Sequence, residues 1–278
     1  PAFTLYNAEA PQVPLLLSVP HAGRDYPPEL LSNLRVPPAD LVRLEDRYAD
    51  RLVQPAIAAG IPAIVAHRAR AWIDLNRAES DIDPAMLTGS GKEHAGTLSA
   101  KTRGGLGLIP RRLQSSGELW RWPQDRADVD RRITSAHRAF HGAIREILQA
   151  MRARFGVAIL LDIHSMPPIP LRLGASLPAD ASPQIVIGDR FGRSAAAIYA
   201  ELIMAHAKGA GMGVVLNNPY PGDFILQAHG RPQSNIHAVQ LEVDRSLYLE
   251  SGLREPSTGL AATARMVHGI AYLLIDQA

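Results

Sequence analysis

The sequence predicts an α/β protein built as a three-layer sandwich, with helices on both faces of a mixed, mainly parallel central sheet. Two observations carry this. Short apolar runs of strand length recur over 15–19, 63–66, 157–161 and 238–241, and segments with helical spacing alternate with them. Apart from Ser18 and Gln240, these runs are apolar at consecutive positions rather than alternate ones, the pattern of strands covered on both faces.

Taken in order, the elements begin with a strand over 14–20 that runs straight into Pro20-His21-Ala22-Gly23. A short helix is expected near 28–34, then a longer one from about 38 to 58 that stops at Ala59-Gly60, since glycine favours the left-handed conformation that closes a helix. A strand at 63–66 follows. Residues 77–124 have little periodicity and many turn formers, among them Thr88-Gly89-Ser90-Gly91 and Gly104-Gly105-Leu106-Gly107. So long an irregular stretch in a compact chain is read as a functional excursion, against whose base Trp120 and Trp122 would pack. Apolar positions Val129, Ile133, Ala136, Phe140, Ile144, Ile147 and Met151 then recur at helical spacing, predicting one long amphipathic helix over 124–154. After it come a central strand over 157–163, strands at 184–187, 214–216 and 236–243, and helices at 194–207 and 258–275. No internal repeat or linker divides the chain, so a single domain over 1–278 is expected.

Composition narrows the chemistry. With 278 residues the chain can bury a core without staples. It has no cysteine, so disulfides and thiolate metal sites are excluded and any metal must use histidine and carboxylate. The ten histidines gain weight accordingly. The net charge of +2 is spread without a basic stripe, so nucleic acid is not an expected partner. No apolar run approaches the roughly 20 residues of a membrane span and no leader is evident, so a cytoplasmic, membrane-free protein is expected. Oligomeric state is left open.

Candidate chemistry gathers at strand ends, where ligands of open α/β sheets bind. Asp162-Ile163-His164-Ser165 follows the most apolar run, and strand alternation puts Asp162 on the same face as His164. A carboxylate there can take the second ring N–H of a ligating histidine and fix its tautomer. His21 stands at the turn after the first apolar strand. Glu242 closes Ala238-Val239-Gln240-Leu241, where desolvation would raise its pKa and suit it to proton transfer; the alternative is an ion pair with Arg245. His137 and His141 lie one turn apart with no third ligand in sight and read as a structural face, and His229 as a loop residue of no consequence.

Six segments, in this order, resemble the motifs of the N-formylglutamate amidohydrolase family: Ser18-Val19-Pro20-His21-Ala22-Gly23, Asp74-Leu75-Asn76-Arg77, Arg103-Gly104-Gly105-Leu106-Gly107, Asp162-Ile163-His164-Ser165, Asn218-Pro219-Tyr220-Pro221-Gly222 and Gln240-Leu241-Glu242-Val243-Asp244-Arg245. The resemblance implies a zinc-carboxypeptidase-like fold and one catalytic Zn2+ per chain. His21 and His164 would be its histidine ligands and Glu242 the general base. For the carboxylate ligand, Glu45, Asp46 and Asp50 are candidates; Asp46 best resembles the family's acidic position, with Glu45 its rival. The implied reaction releases formate from an N-formyl acidic amino acid such as N-formylglutamate. The expected partner is a small-molecule substrate bearing carboxylates, to be held by Asn76, Arg77 and Arg103, since arginine pairs with carboxylate in bidentate fashion. Asp162 would back His164. Hydrolysis of another small amide on the same site, or a non-catalytic binding protein of this fold, are the alternatives.

Overall fold

A computed structural model describes residues 1–88, 98–113, 115–169 and 182–278. Among the described residues seven strands form the central sheet: β1 (Phe3–Tyr6), β2 (Leu15–Val19), β3 (Ala63–Ala66), β4 (Ala158–Met166), β5 (Ile185–Gly188), β6 (Val214–Leu216) and β7 (Ile236–Asp244). Their spatial order is β1-β3-β2-β4-β7-β5-β6. The four strands β3, β2, β4 and β7 run parallel, and antiparallel joints to β1 and β5 make the sheet mixed.

Nine-residue β4 is buried at every position. Its odd-numbered residues Ile159, Leu161 and Ile163 pack in one core with helices α2 (Ala49–Leu52), α3 (Gln54–Ala58), α7 (Ala197–Gly209) and α9 (Leu260–Gln277). Its even-numbered residues Ala158 and Leu160 join a second core with Phe140, Ile144 and Met151 of α6 (Ala139–Phe155). The sheet is therefore sandwiched between two helical layers, and the polar row at the carboxyl ends of β4 and β7 lies on the α6 side. Burying one such leucine contributes about 1.5–3 kcal/mol, which is why the unbroken apolar run secures the centre of the sheet.

The short helix expected near 28–34 is α1 (Pro28–Ser32), while other expectations are corrected. The helix expected over 38–58 is broken: a 3-10 turn spans Pro38–Leu44, the chain extends at Glu45, and α2 begins only at Ala49. Tyr48 between them has φ of 60°, a costly conformation for a large side chain. The guanidiniums of Arg24, Arg47 and Arg51 lie 4.7–5.0 Å from its ring centroid, and its hydroxyl donates to Glu255 at 3.0 Å. Such cation–π contacts hold the aromatic ring in place. Asp46 and Asp50 therefore do not share one continuous helix face. The helix expected over 124–154 is present and runs without a break from Arg126 to Phe155, as α5 (Arg126–Arg132), a π-helical turn at Ile133–Arg138, and α6. Strand β1 and helix α8 (Phe224–His229) stand where no element was expected.

In the 77–124 excursion, α4 (Ala100–Arg103) and two-residue strands at Arg112–Leu113 and Gly117–Glu118 give local order, while Gly89, Ser90 and Gly91 lie outside the described residues. Trp120 is buried and donates to the Pro110 carbonyl at 2.7 Å, but Trp122 is 71% exposed and does not pack the excursion down. Among the described residues no helix is long and apolar enough to cross a membrane.

Candidate metal centre

The fold delivers two imidazoles and a carboxylate to one point. His21 follows β2 directly, and Gly23 lets the turn close: a Cβ there would lie 2.1 Å from the Arg68 carbonyl oxygen. The irregular stretch after the 3-10 turn brings in Asp46, whose backbone N–H donates to the His21 carbonyl at 2.9 Å. His164 sits near the end of β4, in register with Glu242 on β7. His21, Asp46 and His164 are all buried, and each offers one donor atom within 4.8 Å of the others. Asp46 Oδ2 lies 3.0 Å from His164 Nδ1 and 3.6 Å from His21 Nδ1.

The far side of each ring is committed to a carboxylate. His21 Nε2 donates to Asp74 Oδ1 at 2.7 Å, and His164 Nε2 to Asp162 Oδ2 at 2.8 Å. With Nε2 protonated, each Nδ1 presents a lone pair toward the common point. His21 Nδ1 is buried with no hydrogen-bond partner. An orphaned buried lone pair, a second imidazole and a carboxylate oxygen form a set that fits a divalent metal ion.

Electrostatics agree. Burial works against charge on His164, yet Asp162 and Asp46 overcome it and hold the ring well above the ordinary imidazole range. Burial also opposes charge on Asp46, and the neighbouring His164 and His21 rings keep it well below the carboxylate range. Asp74 stays low against its own burial because Arg70, His21 and Arg77 surround it. The site is built to hold positive charge, and a metal ion would supply that charge in place of an imidazole proton.

Glu45 is directed elsewhere. Its carboxylate accepts from the Tyr26 hydroxyl and from Arg47 Nη1, the latter at 2.9 Å. Asp50 pairs through both oxygens with Arg24. Arg245 does not pair with Glu242; it donates to Asp46 Oδ1 at 3.1 Å and to Ser165 Oγ at 3.0 Å. Glu242 instead accepts from Gln240 Nε2 at 2.9 Å, and burial, reinforced by the charge of Asp46, pushes its pKa up to about 7 against the pull of His164.

A cavity of about 560 Å³ opens over this point, with His21, Asp46, His164, Glu242 and Asn76 in its wall. Arg70, Arg77, Lys101 and Arg245 make the wall cationic. Arg77 is buried, with Nε on the Leu106 carbonyl at 2.8 Å and Nη1 3.1 Å from Asp223. Asn76 Nδ2 lies 3.4 Å from His164 Nε2. Arg103 is not brought there: it is exposed, its guanidinium donates to the Leu98 carbonyl, and it is not among the cavity-lining residues. Three further residues at the site, Asp74 behind His21, Arg70 and Gln240, are not among those expected from the sequence. For Gln240 a signal existed, since it stands two residues before Glu242 and so shares its strand face.

A family model for N-formylglutamate amidohydrolase matches residues 13–249. The chain belongs to that family. Curated relatives named N-formylglutamate deformylase include one from Pseudomonas putida, 31% identical over 249 residues with 89% of this chain and 85% of the relative covered. Another, from Pseudomonas aeruginosa, is 30% identical over 243 residues, covering 86% and 83%. A crystal structure of N-formylglutamate amidohydrolase from Ralstonia eutropha superposes with a TM-score of 0.89 at 30% identity, covering 99% of this chain and 98% of the other. The family's α/β architecture, with its mixed, mostly parallel sheet, is thus shared by this chain.

Proposed function

We propose that this protein is a zinc-dependent amidohydrolase that removes the formyl group from an N-formyl acidic amino acid such as N-formyl-L-glutamate, releasing formate and L-glutamate. The observation that carries the reading is the convergence of His21, Asp46 and His164 beside Glu242 at the floor of a cationic cavity. Membership of the amidohydrolase family and the names of the Pseudomonas relatives support the same reaction.

In this reading the three side chains hold one zinc ion, which when bound polarises the amide carbonyl and acidifies water. Asp74 and Asp162 keep the two rings in the ligating tautomer. Glu242, on the strand beside His164, takes the proton of the attacking water and returns it to the departing amine nitrogen, and its elevated pKa suits both transfers. Gln240 holds the carboxylate toward the cavity. Arg77, Arg70 and Asn76 orient the substrate carboxylates, which fixes the carbonyl over the reacting groups. Bound substrate carboxylates also offset the positive charge of the wall.

Turnover of N-formylglutamate by the purified protein tests the reading. Activity should vanish on chelation and return with zinc, and Glu242→Gln should remove turnover while retaining metal. A protein that binds zinc and hydrolyses none of a panel varying acyl length and amino acid would refute it. The cavity has room for acyl groups longer than formyl, and the same panel decides between these substrates.

A further inference from the structure

Of the buried histidines that lie outside the cavity among the described residues, three form one cluster. His137 lies in the π-helical turn at Ile133–Arg138, His141 four residues on in α6, and His229 at the end of α8. His137 Nε2 faces the Arg77 carbonyl at 2.7 Å and His141 Nε2 the Leu75 carbonyl at 2.9 Å. A carbonyl only accepts, so both Nε2 atoms carry the ring proton. His141 Nδ1 is then an acceptor and takes the Nε2–H of His229 at 2.8 Å. Burial, the largest influence on each ring, holds all three below the ordinary imidazole range, so they act as neutral, directional donors.

The two carbonyls flank Asn76. The Asn76 side chain is itself held, because its Oδ1 accepts from the backbone N–H of Ile225 at 2.8 Å. The neighbouring Phe224 ring packs on His137 and His141, with centroids 5.7 and 5.1 Å away. The π-helical turn sets His137 against His141 with ring centroids 4.4 Å apart, and such turns frequently mark functional positions in helices. We infer that His137 and His141 are positioning residues: their ring N–H groups clamp the carbonyls on either side of Asn76, setting Asn76 against His164 and the Arg77 guanidinium in the cavity wall. The inference rests on the reading of this cavity as the amide-hydrolysing site. It gives the helix histidines a task beyond filling the core, although neither touches the cavity.

The test compares donors with non-donors in the intact, zinc-loaded protein. His137→Gln keeps an N–H that reaches the Arg77 carbonyl, whereas His137→Leu and the shorter, polar His137→Asn do not. KM for N-formylglutamate should rise about tenfold in His137→Leu, His137→Asn and His141→Leu, since small misplacements of orienting groups have large kinetic effects. Zinc stoichiometry should be unchanged, and His137→Gln should return KM to within about threefold of the wild type. If His137→Leu does not fold, the Gln and Asn pair decides. Equal KM in those two variants, or an unchanged KM with only lowered thermal stability, would overturn the inference. Absence of turnover in the wild-type protein would instead refute the proposed reaction, so the two failures are distinguishable.

Discussion

Among the described residues two buried histidine clusters stand out, and they are built for opposite purposes. His21 and His164 have carboxylates at their backs and a third between them. His137, His141 and His229 face backbone carbonyls, one another and Phe224, and burial outweighs the attraction of Glu79 and Asp74 for His137. The first environment stabilises positive charge and the second expels it. The comparison teaches that burial alone does not decide what a histidine does: the count of carboxylate oxygens around it separates a cation site from a neutral hydrogen-bond donor.

The comparison can be broken most severely at the first cluster. His164→Ala removes a proposed ligand and leaves Asp162 and Asp46 buried without it, so turnover of N-formylglutamate should fall to background in a standard kinetic assay. Next in size, Glu242→Gln should lower kcat by about a hundredfold to ten-thousandfold, the usual contribution of a general base, and elemental analysis should find its metal intact. Asp74→Asn should weaken zinc affinity by about 10–100-fold, as removal of a carboxylate behind a ligating histidine does, measured by competition with a chromophoric chelator.

Titration sharpens the contrast without mutation. In the metal-free protein, histidine-ring NMR should find His164 still protonated above the ordinary imidazole value of about 6.5, and zinc should displace that proton. His141 and His229 should remain neutral below the same value. The signs for stability follow. The raised value of His164 stabilises the metal-free fold fully below about pH 6.5 and ceases to do so as pH rises through its folded value. The lowered values of the second cluster contribute stability above about pH 6.5, lost as pH falls toward about 3, where His229 titrates. In the proposed reaction Glu242 acts ionised, so kcat/KM should decline with unit slope as pH falls through the Glu242 value, which a bound dication places below the value of about 7 in the metal-free site.

Much of the fold was legible in residue pattern. The run Val157–Leu161 is apolar at every position because β4 is covered on both faces, and such runs need no knowledge of partners. Asp162 and His164 share a face by the period of two, which is local information. What pattern could not reveal was non-local. Apolar spacing over 38–58 resembles one helix, but the backbone bond from Asp46 to His21 and the three arginines around Tyr48 break it, and none of these contacts is visible in a window of neighbours. Edge strand β1 is short and only partly buried, so its composition is weakly marked. Asp74 meets His21 across 53 residues of sequence, and the carbonyls that occupy His137 and His141 are equally distant. A spacing of four on a helix shows that two histidines share a face; it does not show what that face meets.

Metal content of the purified chain and its variants, read by inductively coupled plasma mass spectrometry alongside protein concentration, tests the account at its centre. The expected result is one zinc ion per chain in the wild type, in Glu242→Gln and in His137→Gln, and a small fraction of that in His21→Ala and His164→Ala. Full occupancy in both of the last two variants would contradict it.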